Sequence, residues 1–330
     1  MSAEPATTPT PGAAVAGGVA TTAERPSWPL GGTRAAARPP GEPRRVGYLY
    51  LLPAFAVFAA FVLWPLGHAV YLSLWEWDGV TVGRWAGLGN YAEVITDEAL
   101  RAAFGHALLL LVFYALLPVA IGLVIAGLVA RARVRGLAFF RTILFLPQVI
   151  AMVVVAVMWR MIYDPESGAL NEGLRAIGLG GLTQSWLGDF DLALPSVGLI
   201  ATWVYYGLAM VLLTAGVQKI PASLFDAARV DGAGPIREFL AVTLPALRGE
   251  IAVALTLTTI YALRNFDLVY ITTSGGPGDA TTVPAFEVYN RAFQTGQVGS
   301  AAAVGVSLAA IIFAISLLIN RVGERGSRSR

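Results

Sequence analysis

Two groups of residues carry polar chemistry in an otherwise apolar chain. The first is Arg264, Asn265 and Asp267, which share the apolar run 251–272 with Tyr261, Phe266 and Tyr270. Guanidinium, amide and carboxylate groups bind hydroxyls, and flat rings cover the apolar C–H faces of a solute. Trp203, Tyr205 and Tyr206 of the run 194–217 add rings of the same kind. At a spacing of i, i+3, Arg264 and Asp267 suit an internal ion pair between helices equally well, and the rings suit packing. The second group is Ser223–Pro245, SLFDAARVDGAGPIREFLAVTLP, where Asp226, Arg229, Asp231, Arg237 and Glu238 crowd around Gly232, Gly234 and Pro235.

Neither group is bond-making machinery. The chain has no cysteine, which excludes disulfides, thiolate nucleophiles and cysteine metal sites. His68 and His106 stand too far apart for an H-E-x-x-H helix, and G-x-S-x-G and a complete G-x-G-x-x-G are both absent. Of the 23 basic residues the only lysine is Lys219, and Ile220 follows it, so no Walker lysine exists here. Catalytic residues and metal ligands are therefore not expected. If ATP and Mg are used, another chain must hold them. The net charge of +2 is spread over short connections rather than one basic patch, which argues against nucleic acid as a partner.

The elements that position these groups are membrane helices. Of 330 residues 56% are hydrophobic and 13% charged, and the mean hydropathy is +0.66, which places the chain among all-α integral membrane proteins. Residues 1–45, rich in Ala, Pro, Thr and Gly, read as a disordered cytoplasmic tail. The first apolar run starts too late and runs too long for a cleaved signal peptide, and reads as an uncleaved anchor.

Six runs of about 20 residues or more, the length that crosses a hydrocarbon core, lie near Val46–Leu72, Phe104–Ala130, Phe139–Ile162, Leu194–Val217, Ile251–Thr272 and Gly299–Ile319. Alternate connections carry Arg44 and Arg45; Arg131, Arg133, Arg135 and Arg141; Lys219, Arg229, Arg237 and Arg248; and Arg321, Arg325, Arg328 and Arg330. The others are acidic and hold Trp75, Trp77, Trp85 and Trp186 as interfacial anchors, with Arg160 and Asp164 as an interfacial pair. The positive-inside rule then puts both termini and Ser223–Pro245 in the cytoplasm.

The punctuation of Ser223–Pro245 predicts two short helices. Pro221 suits the start of the first, Gly232 and Gly234 its end, and Pro235 the start of the second. Ala227 and Ala228 let another surface approach closely, and Leu224, Phe225 and Val230 offer apolar contact. Physics alone leaves this open between a docking element and an amphipathic helix lying in the interface.

The stretch resembles the EAA loop of ABC importer permeases, roughly E-A-A-x-x-x-D-G-A followed by I-x-L-P. Here D-A-A-R-V-D-G-A runs from Asp226 to Ala233 and V-T-L-P from Val242 to Pro245. Asp226 replaces the glutamate, Val242 the isoleucine, and two residues separate Ala228 from Asp231, the usual spacing in sugar importers. GLGNY (87–91), FFRTILFLPQVI (139–150) and FDLVYITTSGGP (266–277) are similar to the carbohydrate-importer permeases and fall in the family's order, from about Tyr48 to the last span.

The resemblance implies a type I ABC importer fold: six transmembrane helices over 46–321, a cytoplasmic coupling loop at 220–248 and a cytoplasmic tail at 322–330. It implies that Asp226, Ala227, Ala228, Asp231, Gly232 and Ala233 contact the ATPase. The implied partners are a second, non-identical permease, two cytosolic ATPase subunits that bind ATP and Mg, an extracytoplasmic solute-binding protein and membrane lipid. The T-x-GGP element and the tail NRVGERGSRSR resemble the maltose-type F or glycerol-phosphate-type A subunit. The expected function is sugar import without bond chemistry, with Tyr261, Arg264, Asn265, Asp267, Trp203 and Tyr206 as candidate solute ligands. The alternatives are a permease for glycerol 3-phosphate or a glycerophosphodiester, with Arg264 on the phosphate, and an ATP-independent secondary transporter.

Overall fold

The computed structural model describes residues 44–131 and 136–325. Residues 1–43 of the expected tail, Arg133 and Arg135, and residues 326–330 lie outside the described residues. Among the described residues four helices are long and apolar enough to cross a membrane: Tyr48–Leu72, Glu98–Ala130, Ala193–Val217 and Val298–Gly323. Two bent pairs, Ala138–Val149 with Met152–Ile162 and Pro235–Ala246 with Arg248–Leu263, raise the number to six if each pair is one span. The chain divides into two units at Phe58. In the first, helix Arg44–Phe58 exposes every residue from Tyr48 onward. The second, from Ala59 on, holds the rest of the bundle and its loops.

Two spans are longer than their apolar runs. The second begins at Glu98, where the Asp97 carboxylate accepts a hydrogen bond from the Leu100 N–H at 2.8 Å and so caps a polar first turn that hydropathy ignores. The sixth continues as helix to Arg325 and takes in the first four residues of the expected tail 322–330.

The third and fifth spans are not single rods. The third breaks at Ile150 and Ala151, whose ψ angles of 135° and 134° are extended, and its two helices meet at 92°. In the fifth, helix Arg248–Leu263 stops, Arg264–Phe266 bridge the gap, and Asp267–Thr272 resumes. Arg264 and Asp267 therefore stand on either side of a break rather than on one helical face, and no ion pair between them forms. Nor do Arg160 and Asp164 pair: Asp164 instead accepts hydrogen bonds from the N–H groups of Glu166 and Ser167 and from the Ser167 hydroxyl, which hold its carboxyl below the usual range.

Prolines place three of the four wide turns among the described residues; the fourth, Asn290–Gln294, has none at that position. Three π-turns, Ala59–Leu63, Val112–Leu116 and Phe239–Thr243, each end two residues before a proline: Pro65, Pro118 and Pro245. A proline lacks an N–H and crowds the carbonyl four residues earlier. In each case that carbonyl, of Phe61, Tyr114 or Ala241, lies within the π-turn.

Span four, Ala193–Val217, is the hub. A Cβ on Gly198 would collide with the Phe113 ring, one on Gly207 would meet the Leu144 carbonyl oxygen at 2.5 Å, and one on Gly216 would meet Leu247 at 2.6 Å. These glycines let the second, third and fifth segments press against its backbone, the small-residue packing that lets membrane helices associate. Around them Leu110, Tyr114, Val155, Val197, Ile200, Val204 and Leu268 form the main core.

Outside the bundle, strands Trp75–Glu76 and Arg84–Trp85 pair as a hairpin, clasped by Arg84 on Glu76. Arg291 bonds Glu287 at 3.2 Å, Glu93 at 2.6 Å and the Ser300 hydroxyl at 2.8 Å, tying helix Gly89–Thr96 to the start of the sixth span. Buried Asn171 donates to the carbonyls of Pro165 and Gln184 and accepts from the Trp186 indole at 2.8 Å. Trp186 is thereby hydrogen-bonded into the loop.

Candidate functional site

The first candidate region is the helix Ala222–Val230 with the turn after it. Its two faces are unlike. Phe225 is only 8% exposed, and Arg229, one turn on, bonds the carboxylate of Glu238 at 3.1 Å. These two residues fasten the helix to its own chain, so Phe225 is a root and not part of an outward apolar contact, which corrects the expectation for it. The opposite face carries exposed Leu224, Ala227 and Asp231 with half-buried Ala228, while Val230 is 88% exposed. Spacings of three and four put 224, 227, 228 and 231 on one side. Asp226 is exposed and lies 3.6 Å from Arg229.

The end of this helix explains the D-G-A triplet. Gly232 sits at φ +73°, the left-handed conformation that an L side chain disfavours. That twist lets the Ala233 N–H donate to the Ala228 carbonyl at 2.9 Å and the Gly232 N–H to that of Arg229 at 3.0 Å. Both orphan carbonyls are thereby satisfied in a Schellman arrangement. Pro235 then opens the next helix at a position where no N–H is needed.

The second region is a stripe on the fifth span. Tyr261, Arg264, Asp267 and Tyr270 are all exposed, whereas Ala262, Leu263, Asn265, Leu268 and Val269 between them are buried. The break at 264–266 keeps the polar groups on one side while turning Asn265 inward. Asn265 is 7% exposed, and its amide nitrogen has no hydrogen-bond partner among the described residues. Neither Arg264 nor Asp267 has an ion-pair partner among the described residues.

Aromatic rings flank the stripe. Tyr261 stacks on Tyr205 at 5.1 Å, and Tyr205 meets Tyr114 at 5.2 Å. Tyr270 stacks on Phe266 at 5.1 Å and meets Tyr289 edge-on at 5.3 Å. The π-turn in the second span presents Tyr114 here, and the Thr202 hydroxyl donates to the Phe113 carbonyl at 2.7 Å within that turn.

The structure thus puts Tyr261, Arg264 and Asp267 on one exposed stripe and turns Asn265 inward behind it. Trp203 packs against the main core, edge-on to Trp159 at 5.6 Å, and Tyr206 is half-buried without a ring partner among the described residues. Tyr114, Thr202 and Tyr289 escaped the sequence reading. The proline after Leu117 is the signal that marks Tyr114.

Residues 118–326 match the model of the family described as "Binding-protein-dependent transport system inner membrane component". The chain belongs to this family. Among similar proteins is the probable ABC transporter permease protein YurN of Bacillus subtilis, 38% identical over 83% of this chain and 94% of that one. The diacetylchitobiose uptake system permease protein NgcF of Streptomyces coelicolor is 34% identical over 83% of this chain and 82% of its own. The sn-glycerol-3-phosphate transport system permease protein UgpA of Yersinia pestis is 30% identical over 85% and 95%. A chain of a bacterial ABC transporter involved in alginate import superposes with a TM-score of 0.72 at 22% identity, over 85% of this chain and 96% of that one, a likeness of fold. This inner membrane component is accordingly an ABC transporter permease with the type I importer fold.

Proposed function

We propose that this permease is one subunit of an ATP-driven importer of mono- or oligosaccharide. It pairs with a second, non-identical permease, is driven by two cytosolic ATPase subunits and receives solute from an extracytoplasmic binding protein. The observation that carries the coupling role is the bare small-residue face of the helix Ala222–Val230, rooted by Phe225 and Arg229 and closed by Gly232. A chain without a Walker lysine needs such a face to receive the energy of ATP. Both termini and this helix are cytoplasmic in this reading, on the arginine-rich side.

The exposed stripe Tyr261, Arg264, Asp267 and Tyr270 supports the solute path. Ionisable groups in a membrane span face protein or water rather than lipid, and here rings stand beside hydroxyl-binding groups, as a sugar requires. The diacetylchitobiose that NgcF is named for and the alginate that the structural neighbour imports support the carbohydrate class. ATP and loaded binding protein favour an outward-facing state, and release of both returns the inward one.

The test is uptake by the reconstituted complex together with capture of its ATPase. Ala228→Trp should abolish both, and unchanged capture and uptake would falsify the coupling assignment. A second reading, import of a glycerol phosphate ester, is favoured by the unpaired Arg264 and by the likeness to UgpA. Competing labelled disaccharide against glycerol 3-phosphate separates the two. Under the second reading Arg264→Gln removes phosphate-ester uptake, and under the first no phosphate ester is taken up at all.

A further inference from the structure

Between the fifth and sixth spans, where Arg248 opens the helix Arg248–Leu263, lies an apolar groove of about 610 Å³. Leu244, Ile251 and Leu255 form one wall, and Leu318, Ile319 and Val322 the other. It is floored where the two helices touch: a Cβ on Gly323 would come within 2.6 Å of the Ala252 Cβ. Its volume falls within the roughly 300–1,000 Å³ of small-molecule sites. The charged side chain on its lining is Arg248, which is exposed and has no acidic partner among the described residues. Glu250, two positions on, is already held by Lys219 at 3.1 Å.

We propose that this groove seats an acyl chain of an anionic phospholipid whose headgroup pairs with Arg248. The occupant follows from place and charge. The groove is walled by the fifth and sixth spans, with Leu244 of the preceding short helix beside them, and has the cation Arg248 on its lining. A phospholipid supplies a matching apolar chain and anion in one molecule. Inside a bilayer the walls give little preference by themselves, because lipid tails are as apolar as leucine. Selectivity therefore rests on Arg248 and is for the headgroup rather than for chain length. One basic side chain at a headgroup surface is worth about fivefold in preference for an anionic over a zwitterionic lipid.

This site is distinct from the coupling face and from the polar stripe, and its failure would leave both standing. The chain contains no cysteine, so Val322→Cys gives it a single attachment point for a bimane fluorophore at the rim of the groove. The complete transporter, assembled with partner subunits freed of cysteine, is placed in nanodiscs containing dibrominated phosphatidylglycerol or dibrominated phosphatidylcholine. Phosphatidylglycerol should quench at about one-fifth of the mole fraction that phosphatidylcholine needs. Arg248→Gln should equalise the two, Arg248→Lys should keep the preference, and Ile319→Phe should weaken quenching by both by filling the groove. Equal quenching in the unaltered groove means unselective boundary lipid and overturns the proposal. No quenching by either lipid means that protein covers the groove, and a preference that survives Arg248→Gln removes the arginine from the site; each overturns it as well.

Discussion

Replacing Gly232 tests whether the coupling turn is specified by backbone conformation or by a partner's proximity. The residue sits at φ +73°, and a Cβ added there meets nothing within 4 Å. No clash inside the chain therefore contributes to the penalty, and what remains is the cost of a left-handed L residue, about 1–2 kcal/mol. Gly232→Ala should weaken the turn by that amount, with its two hydrogen bonds from Ala233 and Gly232 to Ala228 and Arg229. If the ATPase reads the formed turn, its affinity falls by about 5- to 30-fold. Gly232→Asn should fall less, because asparagine tolerates the left-handed region better than alanine. The assay is titration of purified ATPase onto the permease pair in nanodiscs, with the unfolding midpoint measured alongside. Asparagine binding worse than alanine would refute the backbone argument, since the position would then be read by size. Equal binding of all three would refute any role for the turn in docking.

Other perturbations check separate links. Gly207→Ala drives a methyl to 2.5 Å from the Leu144 carbonyl oxygen and should destabilise the bundle by about 1–3 kcal/mol. Gly173→Ala, inside the helix Ala169–Ala176 and open on every side, should instead raise the thermal midpoint in detergent slightly, because glycine within a helix costs about 0.5–1 kcal/mol relative to alanine. Glu238→Gln removes the charge opposite Arg229, a bond of 3.1 Å to a carboxylate only 1% exposed. A charge-assisted hydrogen bond of this kind is worth about 1.5–3 kcal/mol, and limited proteolysis within 222–238 should speed up. The Asp78 carboxyl is held below 3.8, first by the N–H groups of Thr81 and Val80 and then by the Thr81 hydroxyl. A depressed carboxylate stabilises its turn above the unfolded value and loses that support as the pH falls through the folded one. Amide exchange at Val80 and Thr81, corrected for intrinsic rate, should stay flat from pH 7 until it rises below 3.8, and Asp78→Asn should abolish the step.

Composition made the spans legible because crossing a bilayer demands about 20 apolar residues, a requirement that hydropathy counts directly. The left-handed end at Gly232 was legible for the same kind of reason, since glycine in D-G-A meets a stereochemical need. The breaks were not. The 92° bend of the third span rests on two ψ angles at Ile150 and Ala151, residues as apolar as their neighbours. The gap at 264–266 was hidden by Tyr261, Phe266 and Tyr270, whose apolar bodies keep the run continuous. It matters because a continuous helix predicts an Arg264–Asp267 pair, whereas the break leaves both exposed. Tyr114 went unread because its ring partner Tyr205 lies far along the chain; Pro118 marks the wide turn that carries Tyr114 but does not report that meeting.

The π-turns before Pro65, Pro118 and Pro245 have a bearing on how insertions accumulate in such chains. A wide turn holds one more residue than the α-turn it replaces, and one residue is about 100° of helix rotation. Deleting a single residue from Val112–Leu116 would restore α-spacing there and leave the lipid and protein sides of the flanking turns where they are. The same deletion two turns away would rotate half the helix out of register. The proline-marked turns are thus the positions in these spans where gaps in chain length can be absorbed without refacing a helix, and single-residue deletion scanning should find them as islands of tolerance.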